Sequence, residues 1–567
     1  MDWKLRKKYK ALLEQERGYL KKVWGTYHSV CLAYPNYYRV GMANLGFQTV
    51  YKIFNDQPSF LCERLFLTAP EDDAEFASGA AGVVSLESQK PLRQFDILAF
   101  SVSFENDYPN ILKMLARAGI PLLAAERNDS YPLIIGGGIA PTLNPEPLAD
   151  FFDLFILGEA EIALPQFAVS FAQAARRRKS RLKYLADMQK NIPSVYVPSL
   201  YKVKYDKESR IKSVEPVNQD LPVKIKIRPI RDISAFTTQE IISAPRTEME
   251  DMFLVEINRG CGHYCRFCAA AYAYHPPRFR SAKQVLKSAS QGLKEKRKIG
   301  LVGTAVCDHP ELITLLDEIV FQNAQAGISS LRIDKISPEL IGLLKNAGIE
   351  TVALAPEAGS QKLWDLLRKG ITEQDIVRAA EILIEKDIPN LRLYFMVGLP
   401  LEDAADIDAI IELAKKVQHT ALRHTQGKKK FRRITLSINQ FIPKPHTPLQ
   451  WCALDDVQEV SKKIKKIEGA FRKDKQIKVI CDVPKWNYVQ ALLSLGDRRV
   501  GEILLAVQRL NGNWKKALKD VNINPDFYVY RQKPVKEILP WDIIELGVPK
   551  KNLVSDYQKI LKPGETD

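Results

Sequence analysis

The sequence has few cysteines and no long apolar run. Eight cysteines among 567 residues are too few for the disulfide framework of a small secreted protein. No stretch reaches the length of a membrane span, and the basic segment from Met1 to Lys10 lacks the apolar core of a signal peptide. We therefore expect a cytoplasmic protein without membrane contact, whose reduced cysteines are available for metal binding.

The composition shows no extreme polarity, but positive charge is in excess. Apolar residues make up 46% and charged residues 26%, the balance of a folded globular protein. A chain of this length usually divides into two or three domains. The formal net charge of +16 attracts polyanions such as RNA, although a solvated basic face is the simpler interpretation. Basic clusters occur at 176–181, 428–433 and 462–466.

The first part of the chain alternates short β-branched and aliphatic runs with helical stretches. Strand-like runs occur at 29–34, 95–102, 133–135 and 154–157. This alternation predicts an α/β fold, a parallel sheet with helices on both faces. Glycine-rich turns at 136–138 and 158–161 follow two of these strands, where an open sheet places its ligand.

A second alternating region predicts a partial (β/α)6 barrel. Its six strands are expected near 252–258, 299–303, 330–334, 350–355, 391–398 and 434–441. The tetrapeptide from Thr372 to Asp375 has the pattern of a helix-capping box. We divide the chain into an α/β domain (1–170), a linker with a basic helix and hairpins (171–247), the barrel (248–455) and a mainly helical C-terminal extension (456–567).

Three cysteines are concentrated in one short segment directly after the first barrel strand. Cys261, Cys265 and Cys268 have C-x3-C-x2-C spacing. Three thiolates on one loop can ligate three irons of a [4Fe-4S] cluster and leave the fourth iron without a protein ligand. S-adenosylmethionine can chelate that iron, and one electron from the cluster then yields a 5′-deoxyadenosyl radical. The competing interpretation is a structural zinc site completed by His263 or His275.

Further segments resemble the radical S-adenosylmethionine (SAM) superfamily, in particular its Elp3 and methylthiotransferase branch. The similar segments are 351–360, 366–370 and 393–402. The resemblance implies that Glu357 and Ser360 face the methionine or ribose of SAM, and that the backbone at Val397 and Gly398 approaches the adenine. It implies that Phe267 shields the cluster or stacks near SAM. It also implies a reductant such as flavodoxin or ferredoxin.

One element of that superfamily is present only loosely. The Gly-Gly-Glu segment that binds the amino group of SAM corresponds here to Val302-Gly303-Thr304-Ala305. The resemblance therefore implies that Gly303 and Thr304 bind SAM, although this segment differs from the usual Gly-Gly-Glu sequence. The alternative interpretation is that Glu357 is an ordinary carboxylate at a strand end and that Gly398 is an ordinary turn glycine.

The N-terminal region resembles the flavodoxin-like, doubly wound cobalamin-binding domain that precedes the barrel in many radical SAM enzymes. In those enzymes a D-x-H-x-x-G loop supplies a histidine to cobalt. The corresponding residues here are 36–41, and Tyr38 occupies the ligand position. A phenol with an ordinary pKa is a poor cobalt ligand. Either cobalamin binds without a lower protein ligand, or the domain retains the fold without the cofactor.

Three functions follow from these observations. The first is a radical SAM enzyme that methylates or otherwise functionalises a C–H bond of a macromolecule, with RNA as the expected substrate. A strict methylthiotransferase is disfavoured, because only Cys31 and Cys62 precede the barrel and a second cluster needs three cysteines. The second is a radical SAM enzyme that acts on a small metabolite. The third is a non-catalytic RNA-binding protein stabilised by a metal.

Overall fold

The computed structural model describes residues 3–69, 83–177, 179–424 and 431–561. Arg178 in the first basic cluster, and Lys428 to Lys430 in the second, lie outside the described residues. Strands in these ranges are β1 His28–Tyr37, β2 Phe60–Leu67, β3 Ile97–Ser101, β4 Leu133–Gly137, β5 Leu154–Ile156, β6 Val195–Tyr196, β7 Tyr201–Tyr205, β8 Ile211–Pro216, β9 Ile225–Lys226, β10 Met252–Arg259, β11 Arg278–Phe279, β12 Lys298–Gly303, β13 Gln325–Ile328, β14 Thr351–Glu357, β15 Asn390–Val397, β16 Arg433–Gln440, β17 Ile477–Cys481 and β18 Ile544–Glu545.

Helices connect most of these strands and form the last part of the chain. They are α1 Trp3–Gln15, α2 Tyr38–Gly41, α3 Leu45–Asp56, α4 Tyr108–Arg117, α5 Ile139–Leu143, α6 Ala160–Arg176, α7 Arg181–Asn191, α8 Ala269–Ala273, α9 Ala282–Gly292, α10 Leu312–Phe321, α11 Pro338–Asn346, α12 Gln361–Leu366, α13 Glu373–Glu385, α14 Ala404–His424, α15 Val457–Phe471, α16 Pro484–Leu495, α17 Val500–Arg509, α18 Trp514–Asp520, α19 Asp526–Val529 and α20 Lys550–Leu561. No helix of the described ranges is long and apolar enough to cross a membrane.

The first sheet is doubly wound, as the alternating strands and helices predict. Its strand order is β2-β1-β3-β4-β5-β6, and all neighbours are parallel except the short β6. The order of the first five strands is that of flavodoxin. Side chains of β1 alternate between two cores, with Cys31 and Ala33 on one face and Val30 and Leu32 on the other. Both faces are therefore covered, which explains the continuous apolar character of β1.

The linker and the C-terminal region connect the two sheets. The linker contributes β6 to the first sheet and then forms the antiparallel hairpin of β7 and β8. β9 pairs in parallel with β18 near the C-terminus. Helices α16 and α17 bury Leu492 and Ile503 in a core of the first sheet, whereas α20 buries Tyr557 in the core of the barrel.

The second α/β unit is a partial barrel of parallel strands. β10, β12 and β13 form one section, β14 to β17 form the other, and a parallel bridge between Leu331 and Leu354 connects the two. The third strand is Gln325–Ile328 rather than 330–334, which forms a bridge and a short 3-10 helix. β17 adds a seventh parallel strand beyond residue 455, within the part expected to be mainly helical.

Alternating burial explains how the barrel strands form. In β15 the apolar side chains of Leu391, Leu393 and Phe395 are buried against the surrounding helices, and the residues between them lie on the opposite face. A period of two with one buried face is the pattern of a strand covered by helices. The capping box predicted at Thr372 and Asp375 is present at the start of α13. This fold places the carboxyl ends of the barrel strands at one edge.

Candidate active site

The cysteine loop begins directly at the carboxyl end of β10. Gly260 starts it with a φ of +79°, and a Cβ there would lie 2.3 Å from the carbonyl oxygen of Tyr274. Only glycine fits this positive φ and close backbone approach. The Cys268 N–H donates to the Cys265 carbonyl at 3.1 Å, and Cys268 is the N-cap residue of α8. The local backbone thus holds all three cysteines on one short turn.

The three thiols lie close enough to influence each other electrostatically. All eight cysteines of the chain are free thiols. Burial raises the pKa of Cys261 and of Cys268, and the neighbouring charge of Cys265 raises each pKa further. Three mutually repelling thiolates in a partly buried turn are stabilised by bound cations, because the cations offset that repulsion. The donor set fits a cluster in which each thiolate ligates one iron.

A histidine and a carboxylate lie beside Cys261. His263 Nε2 lies 2.7 Å from Asp308 Oδ2, and one ligand atom from each of Cys261, His263 and Asp308 lies within 4.8 Å of the others. Asp308 Oδ1 is buried and has no hydrogen-bond partner among the described residues. The other candidate zinc ligand, His275, instead has Nδ1 2.5 Å from the Tyr264 hydroxyl oxygen. The zinc interpretation therefore depends on His263.

Neighbouring elements fix the middle of the cysteine loop. The Arg266 N–H donates to the Leu367 carbonyl at 3.0 Å, and Arg266 Nη1 donates to the Leu366 carbonyl at 2.8 Å. Phe267 packs against the barrel core, and Lys369 Nζ lies 6.0 Å from the centre of its ring. The segment after α12 therefore supports both the loop backbone and the aromatic side chain that the resemblance places near SAM.

Glu357 and Ser360 occupy the turn after β14 and have different partners. Glu357 has a φ of +71°, its Oε1 lies 3.3 Å from Lys369 Nζ, and burial raises its pKa. Ser360 caps α12 by accepting from the Leu363 N–H, and its hydroxyl donates to Asp406 Oδ1 at 2.6 Å. The hydroxyl of Ser360 therefore already donates a hydrogen bond to Asp406. The carboxylate of Glu357, in contrast, is paired with one lysine, Lys369.

Val397 and Gly398 end β15 in a tightly held turn. The Val397 carbonyl accepts from the Phe441 N–H at 2.9 Å. Gly398 has a φ of +79°, and a Cβ there would lie 2.9 Å from the Cβ of Asp455. The Gly398 N–H donates to Glu402 Oε1 at 2.8 Å. These contacts hold the turn and give Gly398 a structural reason that does not depend on a cofactor.

Gly303 and Thr304 line a cavity of about 500 Å³ between the first sheet and the barrel. The glycine-rich turns at 136–138 and 158 lie on its opposite wall, as expected for ligand-binding turns of an open sheet. A Cβ on Gly303 would lie only 1.8 Å from Asn258 Oδ1. That oxygen is buried without a hydrogen-bond partner among the described residues. The cavity therefore contains a buried acceptor for a ligand N–H or O–H.

Charged side chains around this cavity were not predicted from the sequence. Glu159 lies in a glycine turn of the first sheet, and its Oε2 accepts from Arg278 Nη1 at 2.8 Å. Arg259 at the end of β10 forms ion pairs with Glu159, Glu161 and Glu256. Glu159 and Glu161 lie about 100 residues from Arg259 in sequence, so no local pattern connects them to it. The network joins the first sheet to the barrel beside the cysteine loop.

Tyr38 does not reach the cavity. Its hydroxyl donates to Glu16 Oε1 at 2.6 Å, and burial together with the Glu16 charge raises its pKa far above the ordinary value. Its ring packs against Phe66, and the residues that line the cavity near this part of the chain are instead Asn44, Leu45 and Gly46. The position expected for a cobalt ligand is thus used for a buried structural hydrogen bond.

Comparison with known proteins identifies the same two regions. The family model described as radical SAM proteins, N-terminal, matches residues 46–198, and that of the radical SAM superfamily matches 255–414. An uncharacterized protein of Methanocaldococcus jannaschii is 29% identical over 478 residues, which cover 84% of this chain and 90% of the relative.

Other similar proteins share smaller or more distant parts. The tRNA-2-methylthio-N(6)-dimethylallyladenosine synthase of Natranaerobius thermophilus is 26% identical over 207 residues, which are 33% of this chain and 45% of that protein. The radical S-adenosylmethionine methyltransferase TsrM from Kitasatospora setae, solved with cobalamin and a [4Fe-4S] cluster bound, is 13% identical with a TM-score of 0.49. That alignment covers 87% of this chain and 100% of TsrM.

The cysteine loop lies inside the second matched region, at the carboxyl end of the first strand of a partial parallel barrel. The first matched region covers most of the doubly wound sheet. Loop, fold and matched regions agree: the chain belongs to the radical SAM superfamily and is a radical SAM enzyme.

Proposed function

We propose that Cys261, Cys265 and Cys268 hold a [4Fe-4S] cluster with which the protein cleaves SAM in order to functionalise a C–H bond, in particular by methylation of RNA. The observation that carries the proposal is the placement of three cysteines on one short loop at the carboxyl end of β10. Parallel barrels place their reactive groups at this edge. When bound, the cluster supplies the electron that breaks a carbon–sulfur bond of SAM.

The neighbouring residues hold SAM at this edge. Gly303 and Thr304 lie at the carboxyl end of β12, next to β10 in the sheet. Glu357 follows β14, and its carboxylate pairs with Lys369 beside Phe267. We assign the polar part of SAM to these groups and the adenine to the backbone at Val397 and Gly398. Ser360 contributes indirectly: its hydroxyl donates a hydrogen bond to Asp406, and its side chain caps the start of α12.

A cobalamin bound without a lower protein ligand is the best occupant of the cavity between the sheet and the barrel. Tyr38 is bonded to Glu16, so it is unavailable to cobalt. Glycines at 136–138 bring backbone to the cavity wall, and the orphaned Asn258 oxygen is an acceptor for a side-chain amide of the corrin. When bound, the cobalamin would supply the chemistry of methyl transfer. Electrons for the cluster would come from a flavodoxin or ferredoxin.

The cobalamin proposal has a spectroscopic test. A Cβ at Gly138 would lie 2.3 Å from the Val102 carbonyl oxygen, whereas a Cβ at Gly342 meets nothing within 4 Å. We expect purified protein to retain added cobalamin by its visible absorption, Gly138→Ala to lose most of it, and Gly342→Ala to retain it. Equal retention by both variants would show that cobalamin does not bind at this wall.

RNA is the substrate class that the charge favours. The net charge of +16 attracts a polyanion, and RNA binding of this kind weakens steeply with salt. The 462–466 cluster contributes little to this, because Lys462, Lys463 and Lys466 are paired with carboxylates. The second candidate, a small metabolite, is favoured by the cavity of about 500 Å³, a size typical of small-molecule sites. The two candidates are distinguished by measuring the rate of SAM cleavage after adding bulk RNA or, separately, a low-molecular-weight cell extract. The addition that accelerates cleavage contains the substrate.

The experiment that tests the proposed chemistry is release of 5′-deoxyadenosine from SAM. Protein would be reconstituted with iron and sulfide without oxygen, reduced and assayed as wild type, Cys265→Ala and Cys307→Ser. Cys307 is a free, partly buried cysteine next to Asp308, so it is a matched control near the loop. We expect release by wild type and Cys307→Ser only. Release by Cys265→Ala at the wild-type rate would refute the ligand assignment.

A further inference from the structure

The barrel ends in an edge strand with a distinctive outer surface. Among the described residues, β17 pairs only with β16. Its side chains alternate: Ile477 and Val479 pack against the barrel core, whereas Lys478 and Ile480 are exposed. An exposed strand edge attracts partners unless charges protect it. Here the charged side chain of β17 itself is Lys478, and basic residues outnumber acidic ones in the two flanking segments taken together, which suits an anionic partner.

The chain around β17 carries a dense group of basic side chains. Five of them between residues 472 and 485 are exposed, and none forms an ion pair with a carboxylate of the described residues: Arg472, Lys473, Lys475, Lys478 and Lys485. The stretch also contains two acidic residues. Asp474 accepts from Gln418 and from two backbone N–H groups, and Asp482 is exposed and lies 3.2 Å from the side-chain amide of Asn439.

An exposed tryptophan completes this surface. Trp486 lies in the first turn of α16, directly after the carboxyl end of β17, and is 44% exposed. Lys485 Nζ lies 5.0 Å from the centre of its ring, and Val483 beside it is 58% exposed. Since all strands of the barrel are parallel, Trp486 lies at the same edge as the cysteine loop. A group stacked on this ring would therefore be held at the edge where the radical forms.

We propose that the surface of residues 472–486, the β17 edge, binds a single-stranded segment of RNA, with a base stacked on Trp486 and phosphates contacted by the lysines. This inference rests on the proposed function and adds to it the place where the RNA substrate docks. Basic grooves with exposed aromatic rings bind single strands in this way, because every base presents a π face and every linkage a phosphate. The carboxylates of an acidic polypeptide would form ion pairs with the lysines, but they would not stack on the exposed indole of Trp486.

The contribution of the lysines can be measured through salt dependence. A labelled 12-mer oligoadenylate would be titrated with reconstituted full-length protein at several salt concentrations. The triple variant Lys473→Ala, Lys475→Ala, Lys478→Ala would be compared with Lys202→Ala, Lys207→Ala, Lys212→Ala, a control with the same loss of charge on the exposed β7–β8 hairpin. We expect the slope of log affinity against log salt to fall by about 2 in the first variant. The control should keep the wild-type slope.

The contribution of stacking is tested with two tryptophan variants. Trp486→Ala should weaken oligoadenylate binding about tenfold. Trp3→Ala should not change it, although Trp3 is 70% exposed and Lys7 Nζ lies 5.2 Å from its ring. The inference is overturned by equal effects of target and control variants, by polyglutamate binding as tight as RNA binding, or by no RNA binding of wild type at low salt.

Failure of this inference differs from failure of the proposed function. If the β17 edge is not the docking surface, the lysine and Trp486 variants will bind RNA like wild type while 5′-deoxyadenosine is still released. If the proposed radical chemistry is wrong, wild type will release no 5′-deoxyadenosine, whether or not RNA binding depends on Trp486. Each measurement is made on the same reconstituted preparation.

Discussion

Arg266 in the cysteine loop donates from Nε to Oδ1 of Asp556 in α20 at 3.0 Å, and the two side chains are 13% and 11% exposed. Arg368, which follows α12, also donates to Asp556. One carboxylate thus joins the cysteine loop, the turn after α12 and the C-terminal helix. The last part of the chain, which has no recognisable catalytic pattern, therefore stabilises the site.

Asp556→Asn should weaken this connection. Removing the carboxylate leaves the largely buried Arg266 without a compensating charge, whereas Arg368 is 45% exposed, so we expect the free energy of unfolding to fall by about 3 kcal/mol. Bound iron after reconstitution should fall with it, because the loop is less well held. Urea unfolding and iron analysis measure both effects. The control is Asp520→Asn, whose exposed pair with Arg509 should contribute less than about 1 kcal/mol; equal effects of the two substitutions would contradict the assigned role.

Gly303→Ala should distort the wall of the cavity. The new Cβ would lie 1.8 Å from Asn258 Oδ1, so the strand end must shift, at a cost of roughly 1–3 kcal/mol. We expect a lower thermal midpoint and weaker SAM binding by calorimetry. Adding Asn258→Ala should restore the thermal midpoint, because it removes the colliding atom. A double variant as unstable as the sum of its single variants would show that the collision is not the cause.

Asp107 should make stability depend on pH. Burial raises the pKa of Asp107 to about 7. The hydrogen bond from Asn36 lowers this pKa, and the charge of Glu105 raises it, but both effects are smaller than that of burial. A folded-state pKa above the unfolded value means that stability is full at low pH and falls as pH rises from about 4 to about 7. Asp107→Asn removes this penalty. It should be more stable than wild type at pH 8 by up to about 4 kcal/mol and equally stable near pH 4.

Urea unfolding at several pH values checks this dependence. Asp129→Asn is the matched control, because Asp129 is exposed in the same part of the fold. Its difference from wild type should be small and independent of pH. An Asp107→Asn variant whose difference from wild type also stays constant between pH 4 and pH 8 would contradict the raised pKa.

Much of the site's framework could be predicted from the sequence, because its signals are local. Cys261, Cys265 and Cys268 are close in sequence, and the apolar run before them indicated a strand with the loop at its carboxyl end. The glycines at 136–138 likewise predicted a ligand-binding turn and do line a cavity. The capping box at Thr372 was predicted for the same reason. Local patterns of this kind need no knowledge of the tertiary structure.

Other features depend on contacts that sequence patterns do not show. The ion pair of Arg266 with Asp556 joins residues 290 positions apart. β17 was missed because Lys478 interrupts a short apolar run within a basic stretch, and only pairing with β16 makes it a strand. The third strand was placed too late because Leu331 and Ile333 resemble a strand, although Ile333 lies in a 3-10 helix. Tyr38 was placed at a cobalt-ligand position because its loop resembles a D-x-H-x-x-G motif, whereas the structure gives its hydroxyl Glu16 as partner.

The central claim is that Cys261, Cys265 and Cys268 bind a [4Fe-4S] cluster with one iron open to SAM. The most direct test is metal and sulfide analysis of anaerobically reconstituted protein, followed by electron paramagnetic resonance of the reduced sample with and without SAM. We predict about four irons and four sulfides per chain, and a spectrum that changes when SAM is added. One zinc per chain without sulfide, bound with the help of His263, would contradict the claim.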